Sequence, residues 1–457
     1  MTGLLAPSLL GVIGIPFLVA PFAYVFRRLS FLVSLLSITA VAITAWWVWR
    51  LPEGATSELL GRQLALYPIQ RMALFILLLS TGGVFLLAWR ISQGWSLFPF
   101  LLVSLGFLNG SLLFRSSVIA VLLAELGLLS CVFVVQSGRP GSTQSAMHLL
   151  TTIVLAMPLF LIVDFLLRRH EIQPDVVALL QMASAALVLG FALICALFPF
   201  QAWLPAVSET TPPAVTAFIV SSVPLVFLVL LTTWLTQFPA LNEKGTVSRL
   251  LVLGGMASAI AGGLMAYTQD HLGRWWAHVA LADLGFLLIG MGVGSPLGLQ
   301  GTVYGLISRS LALLMAGLSL AVLHHRATGL SFAAIRGVAY RVPVSLFGIS
   351  LGGLALLGVP GSSGFFGRWL IYRALIEQGH SSWVWLLLGA TGFAGVGYAR
   401  IMRNVFAREG PKTVVEQEPR LTASFILLLA VVMAILAGFP QVVAGPVSAV
   451  VAMLPFQ

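Results

Sequence analysis

Lysine is nearly absent from this 457-residue chain: there are two, Lys244 and Lys412, and both fall between apolar runs. A desolvated lysine is the amine best suited to pass protons near neutrality, so this carrier is missing from every apolar segment. Charge of any kind is scarce, at 8% of residues, and the mean hydropathy is +1.03. An ordinary water-soluble globule, whose surface needs charged groups, is excluded. No polar stretch is long enough to form a separate domain, which leaves no room for a flavin, nucleotide or iron–sulfur fold. The two cysteines, Cys131 and Cys195, sit far apart inside apolar runs. Reduced, buried thiols are expected there rather than a disulfide or metal ligands. Low-complexity tracts, heptad runs and linkers are also lacking.

What is there is 59% hydrophobic residues. At about 20 apolar residues per membrane crossing, the runs predict an all-α polytopic membrane protein with about fourteen transmembrane helices. They include a long run near 343 to 376 with a break, and a last run near 421 to 447. The whole chain, 1–457, reads as a single transmembrane domain. The first apolar stretch has no basic segment before it and is expected to be a span, not a removable signal.

The excess of 24 basic over 14 acidic residues would suggest nucleic acid in a soluble protein, but here it reads as topology, and no nucleic-acid partner is expected. Arg27 and Arg28, then Arg326, Arg336 and Arg341, then Arg400, Arg403, Arg408, Lys412 and Arg420 fall on loops of one side. The positive-inside rule assigns that side to the cytoplasm. With an even number of spans, both termini are expected on the non-cytoplasmic face. Arg50, Arg62, Arg71, Arg168 and Arg169 fall on that other face and weaken the bias.

Two apolar runs are interrupted. One contains Leu197-Phe-Pro-Phe-Gln-Ala-Trp-Leu-Pro205, with Pro199 and Pro205; the other contains Gly358-Val-Pro-Gly-Ser-Ser-Gly-Phe-Phe-Gly-Arg368, with Pro360, Gly361 and Gly364. Broken helices free backbone groups inside the bilayer, and these persist only where protein or a water-filled cavity satisfies them. A carboxylate lies two spans before each break, Glu125 before the first and Asp283 before the second. The pairing predicts two inverted five-helix repeats, 96–236 and 249–405, flanked by N-terminal helices in 1–95 and a C-terminal helix in 420–457.

Charges at mid-bilayer cost several kcal/mol and need a partner or a role. Glu125 has no opposite charge within two turns of its own segment; desolvation favours its neutral acid, and it reads either as a proton carrier or as a carboxylic acid hydrogen-bonded within the bundle. Asp283 and Arg309 fall mid-span in successive helices, which predicts a buried ion pair or, with His278 one turn away, a hydrated relay. Arg368 follows the second break, where freed carbonyls would face it, and serves as a fixed field or counter-ion because arginine keeps its proton. The candidate path is therefore Glu125, His278, Asp283, Arg309 and Arg368. Asp164 and Arg168 read as a snorkelling surface pair, His148 as a satisfied bundle histidine, and His324-His325-Arg326 as an interfacial cap. No metal site and no catalytic centre are expected.

On Gly190 to Pro205, Thr211-Pro-Pro-Ala-Val-Thr-Ala217, Asp270-His-Leu-Gly-Arg-Trp-Trp-Ala277 running to Gly285, and Gly358 to Arg368, the chain resembles the antiporter-like membrane subunits of respiratory complex I, Mrp-type antiporters and membrane-bound hydrogenases. The resemblance covers roughly residues 95 to 405. It implies fourteen helices, a hydrated polar axis, and a place beside other membrane subunits of a multi-subunit complex in the lipid bilayer. Glu125 falls where the family has its key glutamate and Arg368 where it has lysine or glutamate. Ile194, Leu225 and Leu311 stand where basic residues are expected, and Gln201 where a histidine is usual. The implied function is a membrane subunit of a complex I-like assembly, contributing to proton or cation translocation coupled to electron transfer elsewhere. This chain carries no cofactor; quinone, flavin and iron–sulfur clusters would belong to partner subunits of an NADH-quinone oxidoreductase-type translocase. A non-pumping scaffold subunit, a subunit of a non-redox antiporter or inorganic-carbon transporter, and a stand-alone transporter stay open. The expected location is the bacterial cytoplasmic, or thylakoid, membrane.

Overall fold

A computed structural model describes residues 8–136, 141–243, 245–327, 329–338, 341–407 and 418–456. Lys244, Arg408 and Lys412 lie outside the described residues. The order begins with α1 (Leu9–Val25), α2 (Ser30–Arg50), strands β1 (Thr56–Leu59) and β2 (Arg62–Ala65), α3 (Pro68–Arg90), α4 (Leu97–Leu113), α5 (Ser117–Val135) and α6 (Ser142–Ile172). It continues with α7 (Val177–Ile194), α8 (Trp203–Thr210), α9 (Pro213–Gln237), α10 (Thr246–Thr268), α11 (Leu272–Val293) and α12 (Pro296–Ala327). It closes with α13 (Pro343–Leu357), α14 (Ser363–Glu377), α15 (Ser381–Val405), α16 (Arg420–Gly438) and α17 (Ala444–Val451). Among the described residues, eleven helices are long and apolar enough to cross a membrane. Helices prevail because in hydrocarbon each backbone N–H and C=O must be paired within its own segment.

Three helices form the centre. The apolar stretch of α9 is entirely buried and those of α11 and α12 are 94% buried, against 28% for α16 on the periphery. α9 packs against α3, α5 and α12, and α12 packs against α9, α11, α13 and α14. Lipid offers little hydrophobic incentive for helices to associate, so contact depends on close approach of small residues. The α10–α11 seam illustrates this: a Cβ on Gly255 would lie 2.7 Å from the Gly285 carbonyl oxygen, and one on Gly285 would lie 2.5 Å from that of Gly255.

Two expectations are corrected. The fold is not purely helical: β1 and β2 form an antiparallel hairpin, Thr56 opposite Ala65 and Leu59 opposite Arg62, turning at Leu60 and Gly61, both with positive φ. The hairpin docks through Leu64 on Phe114, with the Arg115 N–H donating to the Gln63 carbonyl at 3.0 Å. A polar stretch too short for a domain thus pairs its own backbone groups. The last apolar run, near 421 to 447, is also not one helix. α16 ends at Gly438, a 3-10 turn spans Pro440–Val443 and α17 follows, because a proline supplies no N–H and turns Phe439 away from helical geometry.

Candidate ion pathway

The two interruptions expose backbone groups and satisfy them differently. After α7, residues 195–202 leave the helix; the Trp203 indole donates to the Leu193 carbonyl at 3.3 Å, and Ser258 Oγ accepts the Phe198 N–H at 3.1 Å. Pro199 lies in this segment, whereas Pro205 sits in the first turn of α8. The neighbouring small cavity, about 10 Å³, is lined by Ile194, Cys195, Trp203, Val220, Pro224 and Arg309 among others. Ile194 therefore puts an apolar group beside the α12 arginine.

The second interruption follows α13. Gly358 adopts φ +64, and a Cβ there would collide with the Arg368 Cδ, so both the turn and the side chain behind it require glycine. Pro360 and Gly361 lie in the non-helical segment; Gly364 falls in the first turn of α14, packed on the Ala355 carbonyl. From α14 the Arg368 guanidinium reaches back and donates to the Leu357 carbonyl at 2.6 Å and to that of Leu356. The freed carbonyls at the end of one half-helix are thus capped by a cation on the other, as the dipole of α13 favours.

The same guanidinium meets Asp283. Arg368 Nη2 lies 3.1 Å from Asp283 Oδ1, and Arg309 Nη1 lies 3.0 Å from Asp283 Oδ2. Arg309 also donates to the Ala280 carbonyl at 2.6 Å and, more weakly, to that of Val220 at 3.4 Å. Arg368 stacks on Phe286, 4.1 Å from the ring centroid. Exposures of 3%, 5% and 8% for Arg309, Arg368 and Asp283 put the group inside the bundle. Two guanidiniums share one carboxylate, which leaves one positive charge set against carbonyl dipoles. The expected Asp283–Arg309 pair is present; the Arg368 contact, across 85 residues, was missed, and only its place at the break hinted that it needed an anion.

His278 is not joined to this group by a hydrogen bond. It is buried, and its Nδ1 pairs with the Arg274 carbonyl of its own helix at 2.7 Å. Glu125, on α5, is 4% exposed, and neither carboxylate oxygen has a hydrogen-bond partner among the described residues. Leu225 and Leu311 are buried, and Gln201 offers Nε2 to the Met265 sulfur at 3.7 Å. Asp164 and Arg168 form the expected surface pair at 2.8 Å. His148, expected inside the bundle, is exposed on the outer side of α6; its position on a peripheral helix decides this. A bidentate pair that the sequence reading did not anticipate, Arg274 with Glu209 at 2.7 and 2.6 Å, ties α11 to the end of α8.

A sequence profile of the family described as NADH:quinone oxidoreductase/Mrp antiporter, transmembrane region, matches residues 121–394, more than half of the chain. NADH-quinone oxidoreductase subunit N of Desulforudis audaxviator is 29% identical over 50% of this chain and 46% of its own length. Formate hydrogenlyase subunit 3 of Escherichia coli is 27% identical over 62% of this chain and 49% of its own. The chain thus spans about half the length of these curated relatives. Solved structures share the fold: a chain of the archaeal membrane-bound sulfane sulfur reductase superposes with a TM-score of 0.84 at 17% identity, over 98% of both chains. A chain of respiratory complex I from Thermus thermophilus gives 0.79 at 20% identity over 97% and 99%. A chain of the Mrp complex from Dietzia sp. gives 0.84 at 20% identity over 97% of this chain and 52% of its own.

Proposed function

The chain belongs to the NADH:quinone oxidoreductase/Mrp antiporter membrane family, and from that footing we propose that it is a membrane subunit of a complex I-like assembly, contributing to proton translocation coupled to electron transfer in partner subunits. Quinone, flavin and iron–sulfur chemistry belongs, in this reading, to those partners. The observation that carries it is the buried Glu125 carboxyl, which has no hydrogen-bond partner among the described residues. A buried acid with no counter-ion takes up or releases a proton without first breaking a salt bridge, and a small change in its surroundings moves its proton affinity. Asp283 is clamped between the Arg309 and Arg368 guanidiniums, so this group acts as a fixed field rather than a carrier.

In the proposed arrangement α7 with α8 forms one broken span and α13 with α14 another, which makes fourteen spans in all. Two inverted five-helix repeats, 96–236 and 249–405, each carry a carboxylate on the second span and a break in the fourth. The single transmembrane domain lies in the bacterial cytoplasmic membrane with both termini on the non-cytoplasmic side, as the arginines on the opposite loops favour.

The test is Glu125→Gln in the complete assembly, measured as proton translocation per electron in inverted membrane vesicles. Translocation should fall while electron transfer through the partners continues. An unchanged proton yield sinks the proposal and leaves a scaffolding subunit, the reading that Ile194, Leu225 and Leu311 favour.

A further inference from the structure

Beside the clamp at the second break lies a small cavity of about 10 Å³, lined by Asp283, Ser308, Arg309, Ala355, Arg368 and Ile371 among others. Backbone closes one side of it. There α12 and α14 meet glycine on glycine: a Cβ on Gly301 would lie 2.7 Å from the Gly367 carbonyl oxygen, and one on Gly367 2.9 Å from that of Gly301. The seam is too tight for an acyl chain to enter. The lining is rich in donors. Each guanidinium carries five N–H groups in a fixed plane. The Nη groups are engaged by Asp283 and by the carbonyls of Ala280, Val220, Leu356 and Leu357, with Thr391 Oγ1 a further acceptor for Arg368. The Nε groups of Arg309 and Arg368 are buried as well, yet neither has a hydrogen-bond partner among the described residues. A third donor stands nearby. The buried hydroxyls of Ser308 and Ser363 lie 2.8 Å apart; one donates to the other, and the accepting hydroxyl keeps its own proton for another partner.

The charges around this cavity do not cancel. Two guanidiniums face one carboxylate, and no second carboxylate lines the cavity. A net positive charge inside a helix bundle in hydrocarbon is costly. Carbonyl dipoles offset part of it, and an anion held by the idle Nε–H and hydroxyl donors offsets the rest while satisfying those donors. Room decides the class of anion. A cavity of about 10 Å³ takes one water-sized body, which excludes phosphate, sulfate, nitrate and carboxylates and leaves a monatomic ion. The Asp283 oxygens stand in the same wall and repel such an ion, but two guanidiniums outweigh one carboxylate. A rival counter-charge exists. Cys195 lines the separate small cavity at the first break together with Arg309, and as a thiolate it would supply the missing negative charge without any ion.

We propose that the cavity among α11, α12, α13 and α14 is a binding site for one halide ion, chloride under ordinary conditions, held by the Arg309 and Arg368 guanidiniums and the Ser308–Ser363 hydroxyl pair. The ion is a resident counter-ion that completes the clamp at the second break. It is independent of the proton-carrying reading of Glu125.

The experiment uses the complete assembly in detergent, prepared in gluconate, with radiolabelled chloride as the probe. Saturable binding should include one chloride per copy of this chain that bromide displaces and sulfate does not. Arg368→Gln leaves Asp283 to neutralise Arg309 alone and should lose that one chloride. Asp283→Asn removes the repelling charge from the wall and should bind chloride more tightly by about tenfold or more. Equal chloride binding by the parent and by Arg368→Gln means that the ion is adventitious or sits elsewhere, and overturns the proposal. Weaker binding in Asp283→Asn separates the ion from the clamp and does the same. A parent that binds no such chloride, or gains one only on Cys195→Ser, has its counter-charge elsewhere or on the thiolate, which also defeats the site. Where a charge variant fails to assemble, crystals of the parent assembly grown in bromide decide the matter. The anomalous scattering peak should lie in contact with the Arg309 and Arg368 guanidiniums; no peak there overturns the assignment.

Discussion

The two broken helices use the same backbone device and close it in opposite ways. The first break is closed by neutral groups: a tryptophan indole donates to the Leu193 carbonyl beside the Ala196 N–H, a serine hydroxyl accepts the Phe198 N–H, and the neighbouring small cavity is lined by apolar side chains apart from Arg309. The second break is ionic: Arg368 caps the carbonyls of Leu356 and Leu357 and, once buried, commits Asp283 to itself and to Arg309. The consequence reaches each half's carboxylate. Asp283 is held in a clamp, while Glu125, on the side of the break closed by neutral groups, has no hydrogen-bond partner among the described residues.

This contrast can be broken or sharpened by substitution, read as thermal unfolding of the purified chain in detergent. The largest effect is expected from Asp283→Ala, which leaves two guanidiniums buried without an anion at a cost of roughly 3–5 kcal/mol; a stability near that of the parent means the clamp is not formed. Next is Gly358→Ala, about 1–3 kcal/mol, since the alanine must hold a left-handed conformation and displace Arg368. If it is tolerated while Asp283→Ala is not, the arginine anchors to Asp283 and the carbonyl caps are secondary. Trp203→Phe, at the neutral break, removes one hydrogen bond and should cost about 1 kcal/mol. A loss as large as that of Asp283→Ala would erase the distinction between the two breaks. Glu209→Gln weakens the exposed bidentate pair with Arg274 by only about 0.5 kcal/mol. Glu125→Gln should change the unfolding midpoint least, because the amide is nearly isosteric with the carboxyl and no partner among the described residues is lost; a marked loss would reveal a partner for the carboxyl.

Much of this was legible in the residues themselves. The scarcity of charge and the length of the apolar runs required membrane helices, and the Pro199 and Pro360-Gly361 segments marked both interruptions, because missing N–H groups and glycine conformations act locally. The Asp283–Arg309 pair followed from two mid-span charges on successive helices. His148 was misplaced because hydropathy along a helix does not say which face meets lipid. His278 looked like a relay partner from its spacing to Asp283, yet the carbonyl of Arg274, one turn back on its own helix, captures its Nδ1. The hairpin escaped notice since two four-residue strands leave too short an alternation to distinguish from a polar loop.

By itself the sequence determined the solvent, the helices, their interruptions and the absence of lysine from the spans, all consequences of backbone pairing and side-chain transfer that act within about one span. Tertiary structure alone decided how the charges are shared. Arg368 reaches a carboxylate 85 residues earlier in the chain, and Glu125 is passed over, because Coulomb partners are chosen by which helices the close-packed seams bring together.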